Sequence, residues 1–245
     1  MFEFGDSGVT ITTRDKASIV KTLSAGLITF TEKEAKLSIE DALKNSTEAV
    51  LFAEGASDKI ILDAAIEKLF PGETIGIAVQ GAFDRNFLRN LFSRDELQKS
   101  HPGRKMFALF DFDDAYNDWN GLKASEMVQE DPAIGLGKRL KCKEHFAFML
   151  PVPSHEKLRL QALNAEGKPF NDGSACLPIE LLFCDPDNLG DHFSEHEVVG
   201  GGKIIQFSGN KIAFAEHIAK NCKAEDFECF RPILEFARNE AAART

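Results

Sequence analysis

Tyrosine and tryptophan are nearly missing from this chain of 245 residues: each occurs once, as Tyr116 and Trp119, against 21 phenylalanines. Rings without a polar handle favour core packing over polar recognition. The 5 cysteines (Cys142, Cys176, Cys184, Cys222 and Cys229) are odd in number and contain no C-x-x-C pair. That argues against a disulfide framework or a zinc knuckle and fits a reducing cytoplasm. No apolar run approaches the length that crosses a bilayer. The opening MFEFGDSGVT lacks the basic-then-apolar order of a secretory signal. A cytoplasmic location and no membrane partner are therefore expected. Positive charge is also short, with a net charge of −10. That balance argues against broad, non-specific nucleic-acid binding. Acids gathered at a metal site add to the total, however, while the metal neutralises them.

Hydrophobic residues make up 43% of the chain, ample for one large domain or two small ones. Residues 1–48 read as an N-terminal appendage. Val9–Thr12 and Leu27–Phe30 alternate like strands, and Glu32–Lys44 has helical periodicity. Thr31 and Glu34 have capping-box spacing. From Ala49 the pattern becomes strand–helix alternation: a strand at Ala49–Ala53, a helix at Asp58–Phe70 with Ser57 as N-cap, a strand at Ile75–Val79, a turn at Gln80-Gly81, a helix at Asp84–Leu97 and a strand at Met106–Phe110. This alternation predicts βαβ crossovers and a parallel sheet. The second half is less regular. Phe146–Leu150 and Lys203–Phe207 read as strands, Pro178–Phe183 as helix or strand, and Lys211–Lys220 and Phe227–Ala243 as helices. The loop Gly121–Gly137 is the candidate boundary between halves.

The acids fall where such a fold puts its ligands. The run Met106–Phe110 ends in Asp111, Asp113 and Asp114, and the run Ala49–Ala53 ends in Glu54-Gly55. Open α/β sheets bind ligands at the carboxyl ends of their strands. Residues i and i+2 on an extended chain point the same way, so Asp111 and Asp113 share a face. Clustered carboxylates repel one another unless a cation or proton intervenes. The simplest reading is a magnesium (or manganese) site acting on phosphates, where the ion polarises a phosphodiester and stabilises developing charge.

Glu54-Gly55 after a first strand, Gly81 after a second and Asp111-x-Asp113 after a third form an ordered set that resembles the topoisomerase–primase (Toprim) domain, over about Ala49–Leu122. The resemblance implies an α/β fold: a Toprim, Rossmann-like, mostly parallel sheet flanked by helices. Residues 49–122 would form its core, and an α+β extension over 123–245 would complete it. Within that superfamily the chain looks most like the OLD-type (overcoming lysogenization defect) nucleases. A topoisomerase needs a nucleophilic tyrosine, and the one tyrosine here is Tyr116, beside the acidic cluster. The resemblance implies a second acid near the first glutamate, matched by Asp58, and a downstream lysine near the catalytic pocket, matched by Lys211 in GNKIAFAEHIA. Glu180 in LPIELLF is a candidate extra metal ligand. OLD-type enzymes usually carry a fused ATPase, whereas Gly135–Arg139 and Gly200–Lys203 both miss the phosphate-binding G-x-x-x-x-G-K-[ST] pattern. The resemblance therefore implies a separate ATPase partner and a role in bacterial anti-phage defence. A nucleic-acid substrate, DNA or RNA, follows from it, and a homo-oligomer is compatible with it.

Plainer readings stand beside these. Asp58 reads equally as a first-turn helix carboxylate favoured by the dipole, Lys211 as a solvated lysine at a helix start, Glu180 as a surface acid, and Asp114 as a turn cap. Lys138, Arg139, Lys141 and Lys143 form the densest basic run, and Arg85, Arg89 and Arg94 a second strip. Either could track phosphates or be a solvated face. His192 and His196 have the spacing of a helical metal pair but no third ligand. Two further functions compete with the nuclease. One is a haloacid-dehalogenase-like phosphohydrolase with Asp111 as nucleophile, which leaves Glu54-Gly55 unexplained. The other is a non-catalytic Toprim subunit of an ATPase complex.

Overall fold

The computed structural model describes residues 2–5, 8–11, 32–94, 96–142, 144–170, 173–198 and 202–243. The expected strand Leu27–Phe30, Thr12 and the Thr31 cap lie outside the described residues, as does Lys143 of the basic run. Strands β1 (Phe2–Gly5) and β2 (Gly8–Ile11) pair antiparallel as a separate ribbon.

A six-stranded sheet organises the rest, in the order β4-β3-β5-β8-β7-β6. Here β3 is Ala49–Ala53, β4 Ile77–Gly81, β5 Met106–Phe110, β6 Ala124–Gln129, β7 Gly137–Leu140 and β8 His145–Met149. Strands β4, β3, β5 and β8 are parallel neighbours, and β7 and β6 add an antiparallel flank. The fold is thus α/β with a mostly parallel sheet. Every residue of β3, β5 and β8 is buried, as expected of parallel strands covered on both faces.

Alternation along the strands feeds two cores. Val50, Phe52, Met106, Ala108, Phe110, Ala147 and Met149 face α1 (Glu32–Asn45), α3 (Arg85–Ser93), α4 (Glu96–Ser100) and α5 (Ala115–Gly121). Leu51, Phe107, Leu109, Phe146 and Phe148 face α2 (Ala56–Leu69), then, beyond the short α6 (Glu156–Arg159), α7 (Lys211–Asn221) and α8 (Arg231–Ala242). Ile39 and Leu43 of α1 belong to the first core, so the second part of residues 1–48 is packed onto the sheet. Among the described residues, no helix is long and apolar enough to cross a membrane.

Several boundaries differ from the sequence reading. Helix α2 begins at Ala56 with Gly55 as its N-cap, because Asp58 and not Ser57 accepts the free Gly55 N–H (2.8 Å). Gly76 has a positive φ of 69° and ends the loop, so β4 runs Ile77–Gly81 and includes the expected turn residues. The helix expected over Asp84–Leu97 is two, broken at Arg94, with Asp84 capping the first through Phe87 N (2.8 Å). The expected loop Gly121–Gly137 contains β6, whose mostly half-exposed pattern gives no apolar run to detect. Pro178–Phe183 resolves as a 3-10 turn at Ile179–Phe183. The last helix splits into a 3-10 segment, Ala224–Phe230, and α8, where Pro232 occupies the first turn that tolerates it. His196 lies in a strand, β9 (Phe193–Glu197), paired with β10 (Lys203–Phe207), so His192 and His196 share no helix face. The His192 ring instead packs against Phe207 and Phe214.

Candidate functional site

The carboxyl ends of β3 and β5 lie side by side, because the chain steps to β4 on one side of β3 and returns to β5 on the other. This reversal of strand order opens the crevice in which α/β sheets bind ligands. Both acids are there. Glu54 Oε1 accepts the main-chain N–H of Asp111 (3.0 Å). Gly81 closes the back: a Cβ on it would stand 2.9 Å from Gly55 O, so only glycine lets β4 approach the Glu54-Gly55 turn this closely.

Asp111 is 8% exposed, and Phe112 between the two aspartates is fully buried. Phe112 also exchanges two main-chain hydrogen bonds with Leu177 (3.0 and 2.9 Å). This bridge brings in the second half of the chain, since Leu177 leads directly into the turn that carries Glu180. Asp113 is half-buried and accepts the Ala115 N–H at 2.8 Å. Glu180 is fully buried. Its Oε1 lies 3.0 Å from Lys211 Nζ, whose side chain is 53% exposed, and its Oε2 has no hydrogen-bond partner among the described residues. Lys211 opens α7 immediately after Asn210, which caps the helix through Ala213 N (3.1 Å).

The electrostatics show that these groups feel one another. Burial, then Asp113 and Asp58, raise the Glu54 carboxyl to about 8, although the Asp111 N–H pulls the other way. Burial, Glu54, Asp58, Asp113 and Glu180 together hold Asp111 well above the usual carboxylate range. Asp113 is also raised by burial, against the pull of the Ala115 N–H, Arg85 and Lys211. Lys211 is lowered by burial, but Glu180, Asp111 and Asp58 outweigh that and its ammonium form is favoured. All six residues expected from the sequence (Glu54, Asp58, Asp111, Asp113, Glu180 and Lys211) therefore belong to one electrostatic neighbourhood. Asp58 does double duty, since Gly55 N–H and the Ser57 hydroxyl (3.0 Å) occupy its oxygens.

The donor set is oxygen only, it is rich in carboxyl groups and it includes a buried carboxylate oxygen without a hydrogen-bond partner among the described residues. That chemistry fits a hard divalent cation such as magnesium. Among the described residues, no three His, Cys, Asp or Glu side chains are gathered closely enough to hold a metal ion as they stand. Magnesium needs only one or two carboxylates, with water and substrate oxygens completing its shell.

The basic residues divide. Arg85 pairs with Asp114 (3.1 Å), and Arg89 with Asp118 (3.4 Å). Arg85 thus stands at the rim of the acid pocket. Lys138 is 3% exposed, with Nζ on Leu122 O (3.0 Å) and 4.2 Å over the Trp119 ring, and burial lowers it to about 8. Arg139 pairs with Glu126 (2.8 Å) and Glu240 (3.1 Å). Lys138 and Arg139 therefore form no strip that could follow a phosphate backbone. Tyr116 stacks on Phe112 (5.7 Å), and burial raises its hydroxyl, which disfavours a nucleophilic phenolate.

One positioning residue escaped the sequence reading. Gln161, 3% exposed, donates to Cys176 O (2.6 Å) and Ile205 O (3.0 Å) and accepts Ile205 N–H (2.6 Å). It joins the segment leading to Glu180 with the strand leading to Lys211. No periodicity or motif marks it. A larger cleft of about 670 Å³ between α1, α3 and α4 contains none of the acids.

No known protein-family model, curated protein or solved structure matches the chain.

Proposed function

We propose that the chain is a metal-dependent nuclease that hydrolyses nucleic-acid phosphodiesters. One observation carries this reading: Glu54 and Asp111, far apart in sequence, end neighbouring strands and are joined by a hydrogen bond from the Asp111 main chain to the Glu54 carboxyl, and a cation from the second half of the chain, Lys211, interacts with Asp111 and Asp58. Glu54, Asp111 and Asp113 are the residues that would hold magnesium or manganese, with Asp58 and Glu180 behind them. A divalent cation there would polarise a phosphodiester and offset charge developing on it. The protein's own part is to hold the carboxylates on rigid main chain and to exclude water around Asp111. Lys211, paired with buried Glu180 yet half-exposed, offers positive charge to a phosphate oxygen. Arg85 at the rim, shared with Asp114, can orient the phosphate chain.

The resemblance to OLD-type nucleases, which work with an ATPase, extends the proposal to control by an ATPase, in the manner of anti-phage defence pairs. The haloacid-dehalogenase alternative leaves Glu54 without a role, although it is the group clasped to the Asp111 main chain. The test is magnesium-dependent cleavage of a panel of plasmid, single-stranded DNA and transfer RNA by the purified chain, alone and with a candidate ATPase. Cleavage that vanishes in Glu54→Ala and in Asp111→Ala, with melting curves intact, supports the nuclease. Retained cleavage in both refutes it. An inert chain that nevertheless binds the ATPase tightly identifies a non-catalytic subunit.

A further inference from the structure

A second polar cavity lies at the opposite edge of the sheet. It encloses about 280 Å³ and is bordered by Phe92, Arg94, Lys123, Leu140, Lys141 and His145, among others. His145 opens β8 and pairs in register with Met106 at the amino end of β5. The length of one five-residue strand, about 17 Å at 3.3 Å per residue, thus separates it from the acid pocket.

Three features distinguish this cavity from an ordinary solvated face. First, among the described residues the charged side chains lining it are all cations, the exposed Arg94, Lys123 and Lys141. None of the three forms an ion pair among the described residues. Second, Lys141 N–H donates to Lys123 O (3.2 Å), so the two lysines stand opposite each other where β6 and β7 begin and end. Like charges directly opposed across a strand pair destabilise it. An anion shared between them removes that cost. Third, His145 is 2% exposed and its buried Nε2 has no hydrogen-bond partner among the described residues. A buried polar atom without a partner costs roughly 1–3 kcal/mol, which a ligand oxygen would recover once a small shift of the ring opens Nε2 to the cavity. Burial lowers this imidazole to about 4, so at neutral pH it is an uncharged ring able to donate or accept.

Phe92 and Leu140 give the cavity an apolar wall beside its cationic one, and the Phe92 and His145 rings meet edge to face at 5.6 Å. The volume falls just below the range of drug-sized ligand pockets, which starts at about 300 Å³. A large cofactor does not fit, but a phosphate group carrying a small organic moiety does.

We infer that this cavity binds a phosphomonoester of mononucleotide size or smaller, with Lys123, Lys141 and Arg94 on the phosphate and His145 completing its hydrogen bonds. The site stands apart from the acid pocket and does not depend on what that pocket cuts.

The probes are inorganic phosphate, 5′-AMP and adenosine, titrated into the full chain in EDTA so that no divalent ion bridges ligand to the acids. Binding is followed by calorimetry and by the NMR signals of the His145 ring. Phosphate and 5′-AMP are expected to shift the His145 signals saturably, with adenosine at least tenfold weaker than 5′-AMP. The double variant Lys123→Gln/Lys141→Gln should weaken 5′-AMP at least tenfold, as should Arg94→Gln alone on the facing wall. Glu54→Gln should leave the affinity unchanged. Unmoved His145 signals, adenosine binding as tight as 5′-AMP, or full affinity in both cation variants would each overturn the assignment.

Discussion

The main-chain N–H of Asp111 donates to Glu54 Oε1 across 3.0 Å, so the residue that ends one strand is clasped by the residue that ends its neighbour. The bond needs an acceptor at Glu54 but not a charge. Glu54→Gln should therefore keep the clasp and the fold while removing magnesium-dependent cleavage. Glu54→Ala should lose both cleavage and about 1 kcal/mol or more of stability. Activity assays paired with denaturant unfolding separate the two effects, and an active Glu54→Gln enzyme would remove Glu54 from the proposed chemistry.

The raised Glu54 carboxyl makes stability pH-dependent in a definite direction. In EDTA, folding favours its protonated form. The stabilisation is complete below the ordinary value of 4.5 and is lost as pH climbs toward about 8. Melting temperature in EDTA should fall over that window, and Glu54→Gln should make the fall shallower, with the raised Asp111 and Asp113 carboxyls accounting for the remainder. Magnesium should oppose the fall, because it takes the place of the proton. At a hundredfold excess over its Kd the gain is about 2.7 kcal/mol. A profile that stays flat in the wild-type chain contradicts this assignment.

Gly81 and Gly55 face each other but tolerate change differently. A Cβ on Gly81 would meet Gly55 O at 2.9 Å, whereas a Cβ on Gly55 would find only ordinary contacts with Asp58 and Ser57. Gly81→Ala is expected to cost about 1–3 kcal/mol through overpacking and to lower cleavage by moving the Glu54 turn. Gly55→Ala should cost less on both measures. Equal losses in the two variants would count against the close approach as the reason for Gly81.

Fold and site were unequally legible in the sequence. The buried strands β3 and β5 announce themselves as apolar runs with acids at their ends, and both are found with the expected limits. Strand β6, ASEMVQ, carries its pairing in main chain rather than in apolar side chains, and it escaped detection. The clustering of Glu54, Asp111 and Asp113 follows from strand order once Glu54 and Asp111 are placed at strand ends. The burial of Glu180 does not follow, because the Phe112–Leu177 bridge joins segments 65 positions apart by main-chain hydrogen bonds that leave no trace in residue type. Lys138 shows the same limit: its motif reads as surface charge, yet Trp119 and two carbonyl groups enclose it.

Gln161 offers a test of how the site is held rather than what it does. Gln161→Leu removes hydrogen bonds to Cys176 O, Ile205 O and Ile205 N and leaves buried main-chain groups unpaired. A loss of about 3 kcal/mol is expected in urea unfolding. Because Gln161 touches none of the acids, residual cleavage should keep the metal dependence of the wild type. An altered metal dependence would give Gln161 a more direct role.

Lys211 and Glu180 form an uneven pair, one half-exposed and one enclosed. Lys211→Met leaves the Glu180 charge without its counter-ion and should cost more stability than Glu180→Gln. The double variant should recover most of the loss, because removing both charges is often close to neutral. Cleavage should stay low in Lys211→Met and in the double variant if the lysine meets substrate. Recovery of activity together with stability would assign Lys211 a purely structural part.

The order of assembly during translation follows from the sheet. A ribosome that has released residue 122 has already made Glu54, Asp111 and Asp113, but β8, the partner of β5, and the Leu177 bridge are still to come. A nascent chain therefore carries its acids before it can position them, and the pocket becomes complete only when Lys211 has emerged. A truncated product would hold every one of the first-half acids and none of their second-half supports.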